Sequence, residues 1–128
     1  MTLCLDAWAV LAWLDGDEPA ISSVERALGE RPYLSWINAI EVYYRIERDH
    51  GRDAADEVLS GVRSTMTLDL PGTARMVEVA RLKARARIAL GDCFAIATAA
   101  AHNAQLLTGD PEILGLDDCP CALRDLRS

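Results

Sequence analysis

Thr2-Leu3-Cys4-Leu5-Asp6-Ala7-Trp8-Ala9-Val10-Leu11-Ala12-Trp13-Leu14 opens the chain. Thr2 to Leu5 is a short, almost unbroken apolar run. Such a run suits a strand covered on both faces, as in a parallel sheet, better than one with a wet side. Asp6 ends it. Ala7 to Leu14 then reads as helix and is broken by Asp15-Gly16-Asp17. Strand followed by helix is the pattern of a parallel α/β unit, and short apolar runs alternate with longer helical patterns along the rest of the chain.

Pro19 to Leu28 reads as a helix with proline in its first turn and Gly29 as its stop. Tyr33 to Ser35 is a brief strand. Trp36 to His50 is helical and closed by Gly51. Asp53 is placed to cap a helix that runs to about Val62. Met66 to Leu70 alternates as a strand does, and Pro71-Gly72 turns the chain. Thr73 is placed to cap a long helix through Ile88. Gly91 punctuates, and Asp92 to Asn103 is an alanine-rich helix. Gln105 to Thr108 is a strand, Gly109-Asp110-Pro111 a turn, and a last short strand falls at Ala122-Leu123. Strands separated by helices of this length imply right-handed crossovers and a central five-stranded parallel sheet with helices on both faces, an α/β/α sandwich.

The composition agrees. The 128 residues are one domain's worth, so residues 1–128 form a single unit. Apolar residues at 51% and charged residues at 26% exclude a disordered or collagen-like chain. No stretch approaches the roughly 20 apolar residues of a membrane span, and the first apolar run lacks the basic flank of a leader. A cytoplasmic protein is expected. Cys4 and Cys93 sit in apolar patterns as core residues. Cys119 and Cys121 flank Pro120 with no matching Cys or His pair, which makes a poor zinc site. His50 and His102 are expected to be solvated. No phosphate-binding Gly-x-x-x-x-Gly-Lys occurs. A phospho-acceptor receiver would need a lysine at the sheet's rim, and the only lysine, Lys83, lies deep in a helical pattern.

The net charge of −7 argues against general phosphate coating, so any contact with nucleic acid must use a local patch or a bound cation. Arg75, Arg81, Lys83, Arg85 and Arg87 stand against the single acid Glu78, a local +4 that leaves −11 for the rest. This segment is either a solvated helix face or a surface that holds a phosphate backbone without reading sequence.

The acids fall where a site would form. In an open parallel sheet, ligands bind beyond the carboxyl ends of the strands. Asp6 ends the first strand, Asp110 follows the Gln105–Thr108 strand by one glycine, and Asp92 opens the alanine-rich helix. Each also suits a helix cap. Glu41 shares a helical stripe with Ile37, Ile40 and Tyr44, which predicts a core-facing carboxylate. Such a group must be paired, protonated or metal-bound. It can pair with Arg45 one turn on, or point over the sheet edge toward Asp6. Gathered together, the acids would repel and raise one another's pKa values, and a cation would relieve them. An all-oxygen donor set selects Mg²⁺ or Mn²⁺. Thr108 and Asn38 are placed to add hydrogen bonds behind the carboxylates. The chemistry that wants this arrangement is metal-assisted phosphodiester hydrolysis.

Leu3-Cys4-Leu5-Asp6, Asn38-Ala39-Ile40-Glu41-Val42-Tyr43-Tyr44, Gly91-Asp92-Cys93-Phe94-Ala95-Ile96-Ala97-Thr98-Ala99 and Leu107-Thr108-Gly109-Asp110-Pro111 resemble, in order and spacing, the four acidic motifs of PIN-domain nucleases. The short length and the Gly-Asp-Pro-Glu run resemble the VapC-like toxin branch. The resemblance implies a PIN-like sandwich and a divalent-metal-dependent endoribonuclease. Asp6, Glu41, Asp92 and Asp110 would be its metal-site acids, and Glu112 an extra carboxylate. It further implies a homodimer neutralised by a VapB-like antitoxin. The family often has a hydroxyl residue after the first aspartate. Ala7 and Trp8 stand there instead, with Trp8 and Trp13 expected to pack, or Trp8 to stack on a base. The competing reading is a catalytically silent module that binds RNA or a peptide in the same groove.

Overall fold

The computed structural model describes residues 1–128. Five strands form one sheet: β1 (Leu3–Leu5), β2 (Tyr33–Ser35), β3 (Thr67–Asp69), β4 (Gln105–Thr108) and β5 (Ala122–Asp125). Their order is β3-β2-β1-β4-β5, and every pairing is parallel. The expected sheet is therefore present with its five strands.

Seven helices connect them: α1 (Ala7–Asp15), α2 (Ala20–Leu28), α3 (Trp36–His50), α4 (Arg52–Thr65), α5 (Thr73–Arg85), α6 (Leu90–Ala101) and α7 (Pro111–Leu114). The period-two alternation of strand side chains divides the core in two. Leu3, Leu5, Leu34 and Leu107 pack with α1, α2 and the inner faces of α3 and α4. Cys4 and Leu106 pack on the other side with Val79 and Leu82 of α5 and with the buried face of α6. The alanine run of α6 does what small residues permit. Ala95, Ala97 and Ala99 are buried, and the helix lies close on the sheet.

Several ends differ from expectation. Gly72, not Thr73, holds the N-cap position of α5, and no side chain caps it. That helix stops at Arg85, three residues before Ile88. Lys83 explains the stop, because its ammonium donates to the Ile88 carbonyl at 2.6 Å and ties down the chain that leaves the helix. Gly51, not Asp53, stands at the N-cap of α4. The turn after β4 continues as the short α7, with Asp110 as cap and Pro111 at its first position.

The chain from β1 proceeds through β2 to β3 in one direction. It then crosses back over β1 to β4 and β5. The reversal leaves a crevice between the carboxyl ends of β1 and β4, the place where open parallel sheets bind ligands.

Candidate active site

Asp6 stands at the carboxyl end of β1 and caps α1. Its Oδ1 accepts the Ala9 N–H at 2.8 Å. Its Oδ2 accepts a short hydrogen bond from the Thr108 hydroxyl at the end of β4. The same Thr108 oxygen accepts the Asp110 N–H at 3.0 Å. One threonine thus ties the two strand-end acids together across the crevice. Asp110 caps α7 through Oδ1, which takes the Glu112 N–H at 2.9 Å. For these two residues the cap and the crevice are one arrangement rather than alternatives, since a capping carboxylate still has lone pairs to spare.

Asp92 behaves differently. Its helix begins at Leu90, with Ala89 at the N-cap, so Asp92 lies inside the first turn and caps nothing. Its carboxyl instead faces the other acids. Burial raises its pKa first. Asp110, close enough to share a hydrogen bond with it, and then Asp6 and Glu41 add to the rise, to about 7. Asp6, 3% exposed, is also pushed up to about 7 by burial, against the lowering effect of the Thr108 hydroxyl and the Ala9 amide.

Glu41 reaches the crevice, but not for the reason expected. Ile40 and Tyr44 are 53% and 50% exposed, while Asn38, Ala39 and Val42 form the buried face of α3. The predicted stripe is therefore rotated, and Glu41 sits at the border of the buried face. Its Oε1 accepts from Asn38 Nδ2 at 3.0 Å, and no ion pair with Arg45 forms. The carboxylate lies directly over Gly91, where a Cβ would collide with it. Asn38 Nδ2 also donates to the Gly91 carbonyl at 3.1 Å and so braces α3 against the start of α6.

Asp6, Asn38, Glu41, Asp92 and Asp110 line one cavity of about 380 Å³. No three of its acids close on a single point within ligating distance, so the cluster is an acidic basin rather than a finished cage. Two observations test whether a hard cation suits it. Asn38 Oδ1 is buried with no hydrogen-bond partner, while the Nδ2 of the same amide is held by Glu41 and the Gly91 carbonyl. The donors are all oxygen, and no cationic side chain is ion-paired to any of the four acids. Both fit Mg²⁺ or Mn²⁺ chemistry.

Residues 3–118 match the family model for the PIN domain. The chain belongs to the PIN domain family. No curated protein matches the sequence. Among solved structures, this PIN domain is similar to DNA-bound VapBC from Salmonella typhimurium, with a TM-score of 0.80 at 15% identity over 98% of each chain. It is similar to VapBC2 of Rickettsia felis bound to a promoter DNA fragment, with a TM-score of 0.77 at 16% identity over 98% of each chain. A toxin–antitoxin complex from Klebsiella pneumoniae gives 0.69 at 19% identity, over 94% of this chain and 99% of that one.

The other expected residues of the PIN domain scatter. Glu112 is exposed, and its side chain does not line the acidic cavity. It borders separate clefts beside Arg85 and Arg87. Arg81, Lys83, Arg85 and Arg87 are exposed, and none of them lines the basin. Arg75 departs from the surface reading. Its side chain is 12% exposed, and its Nη1 donates to Asp69 Oδ1 at 2.5 Å and to the Thr98 hydroxyl at 3.0 Å. His102 is likewise not a solvated side chain. It stacks on Tyr33 with ring centroids 3.7 Å apart, and its Nε2 meets Asp69 Oδ2 at 2.6 Å.

Sequence reasoning missed the mouth of the cavity. Arg45, Arg48 and His50, along the later part of α3, line it together with Asp15 and Asp17. The available signal was the i, i+4 spacing of Arg45 from Glu41, which puts a cation one turn from a site acid. Trp8 also lines the cavity and packs its ring on Gly109, where any side chain would collide. It thereby buttresses the turn that presents Asp110.

Proposed function

We propose that the chain is a divalent-metal-dependent endoribonuclease, the toxin of a toxin–antitoxin pair. The observation that carries this reading is the basin itself: four carboxylates line one cavity, and no cationic side chain is ion-paired to any of them. Asp6, Glu41, Asp92 and Asp110 would hold Mg²⁺ or Mn²⁺, with Asn38 and Thr108 behind them. The bound ion supplies a water of lowered pKa and a Lewis acid for the phosphodiester oxygens.

The chain's own residues set the conditions for that chemistry. Thr108 and the Ala9 amide orient Asp6 and favour its ionised form. Asn38 fixes Glu41 against Gly91. Asp92, half-buried among acids, holds a proton near neutral pH until a cation displaces it. Arg45 and Arg48 at the mouth are placed to meet a phosphate backbone that descends toward the acids. Arg81, Arg85 and Arg87 offer a second, sequence-blind contact farther off.

A VapB-like antitoxin and a second copy of the chain are the expected partners. Trp36, Ile40 and Tyr44 present an apolar face on α3 around a groove of about 290 Å³ shared with Leu59 and Leu68. A face of this kind supports a protein contact. No helix is long and apolar enough to cross a membrane.

The test is cleavage of total cellular RNA by the purified chain with Mg²⁺, with Mn²⁺ and in chelator, followed by mapping of the cut ends. Defined internal cuts that need the metal are expected. Intact RNA under all three conditions would overturn the nuclease reading.

A further inference from the structure

Cys119 and Cys121 lie outside the acidic basin, in the turn between α7 and β5. Asp118 adopts a left-handed conformation with φ of 53°, and the chain bends at Pro120 and Cys121. That path gathers the two thiols, whose sulfurs stand 3.8 Å apart. Both residues are half-buried, packed against the α5–α6 side of the core yet open to solvent. The other two cysteines are not: Cys4 and Cys93 are wholly buried.

The two thiols are also unequal. The hydrogen bond between the two sulfurs, with the Cys121 backbone N–H and the Arg85 guanidinium adding to it, lowers the Cys119 pKa. Cys121, which gives up that hydrogen bond on ionising, is raised. One reactive thiolate beside one resolving thiol is the arrangement that thiol–disulfide exchange uses. Beside the turn, Arg85 and Arg87 flank an open cleft of about 530 Å³ that also holds Glu112, Asp117 and Asp118.

We infer that Cys119 and Cys121 form a redox-active dithiol that a low-molecular-weight disulfide oxidises to an intrachain disulfide. The Cys119 thiolate attacks one sulfur of the reagent, forms a mixed disulfide and expels the first thiolate, which takes up a proton. Cys121 then loses its proton and attacks the Cys119 sulfur, and the second thiol leaves. The protein dithiol loses two electrons, and the reagent disulfide is reduced to two thiols.

The probe is glutathione disulfide, applied to the folded full-length chain, with trapping of free thiols and mass mapping of all four cysteines. The expected product has lost about 2 Da, carries a Cys119–Cys121 bond, and leaves Cys4 and Cys93 reduced. Cys121→Ser should halt at a stable glutathione adduct on Cys119. Cys119→Ser should slow the first step by about 10-fold or more. A wild-type chain that stays fully reduced, that keeps a stable adduct on either cysteine, or that pairs other cysteines would overturn the inference. Circular dichroism of each variant confirms that a change in rate comes from a folded chain.

Discussion

Two groups of buried acid in this molecule are built in opposite ways. Asp69, at the end of β3, has a side-chain partner on each oxygen: Arg75 at 2.5 Å and the His102 ring at 2.6 Å. Asp6, Glu41, Asp92 and Asp110, two strands away, have none of their own. Their partners are hydroxyl, amide and backbone N–H groups and, for Asp92, the Asp110 carboxyl. The same sheet therefore carries one carboxylate that the chain itself pairs and four that it leaves without an ion pair. The energetic contrast is direct. Removing the partner of a buried paired acid is costly, whereas a cluster of unpaired acids already costs stability and persists where function requires it.

The largest expected effect breaks the unpaired side. Asp6→Asn should lower RNA cleavage by about 10²- to 10³-fold, because it removes the most buried carboxylate with little change of shape; its amide oxygen still accepts the Ala9 N–H, while its NH2 group must donate to the Thr108 oxygen in place of accepting from it. Single-turnover cleavage rates measure it, and thermal unfolding should show a fold retained. Full activity in that variant would refute the site. Next comes the paired side. Arg75→Ala should cost about 3 kcal/mol in denaturant unfolding, since it leaves the largely buried Asp69 carboxylate with the His102 ring as its one remaining side-chain partner, and should not change Mn²⁺ uptake.

These two sides were not equally readable beforehand. Asp6 and Asp110 follow apolar strand runs, and the carboxyl end of a parallel strand is where sites lie, so their positions followed from local pattern plus topology. The four-acid order and spacing carried Glu41 and Asp92, although the helical stripe assigned to Glu41 was wrong. Periodicity reports which residues are apolar, not which face is covered, and here Ile40 and Tyr44 make an exposed apolar face. The Asp69–Arg75–His102 network had no local signature. Its members are 6 and 33 residues from Asp69, on three different elements, and only the tertiary fold brings them together. The basic run therefore looked wholly superficial, although its first arginine turns inward. The helix ends at Arg85 and Leu90 shifted for a similar reason, since the Lys83 tether to the Ile88 carbonyl is a feature of the folded chain.

The contrast also has a pH signature. Asp6 and Asp92 titrate near 7 in the fold, against about 4 in an unfolded chain. Between those values the folded state binds more protons than the unfolded state. In chelator, stability should therefore be greatest at about pH 4 on this account, fall as pH rises to about 7, and level off above. Urea midpoints across that range measure the slope. Asp92→Asn should flatten part of it, whereas a slope of opposite sign would contradict the raised pKa values. The smallest effect concerns the exposed arginines. Changing Arg81, Arg85 and Arg87 together to alanine should weaken RNA binding only a few-fold and reduce its salt dependence by up to about three phosphate contacts. Cleavage chemistry on bound RNA should stay near normal.

Titration calorimetry with Mn²⁺ near pH 7, run in two buffers of different ionisation enthalpy, tests the unpaired basin most directly. The wild-type chain should take up the ion saturably and release protons as Asp6 and Asp92 ionise, and Asp6→Asn should weaken that uptake sharply. Featureless heats from the folded wild type, or equal uptake by both proteins, would show that these acids are not a cation site.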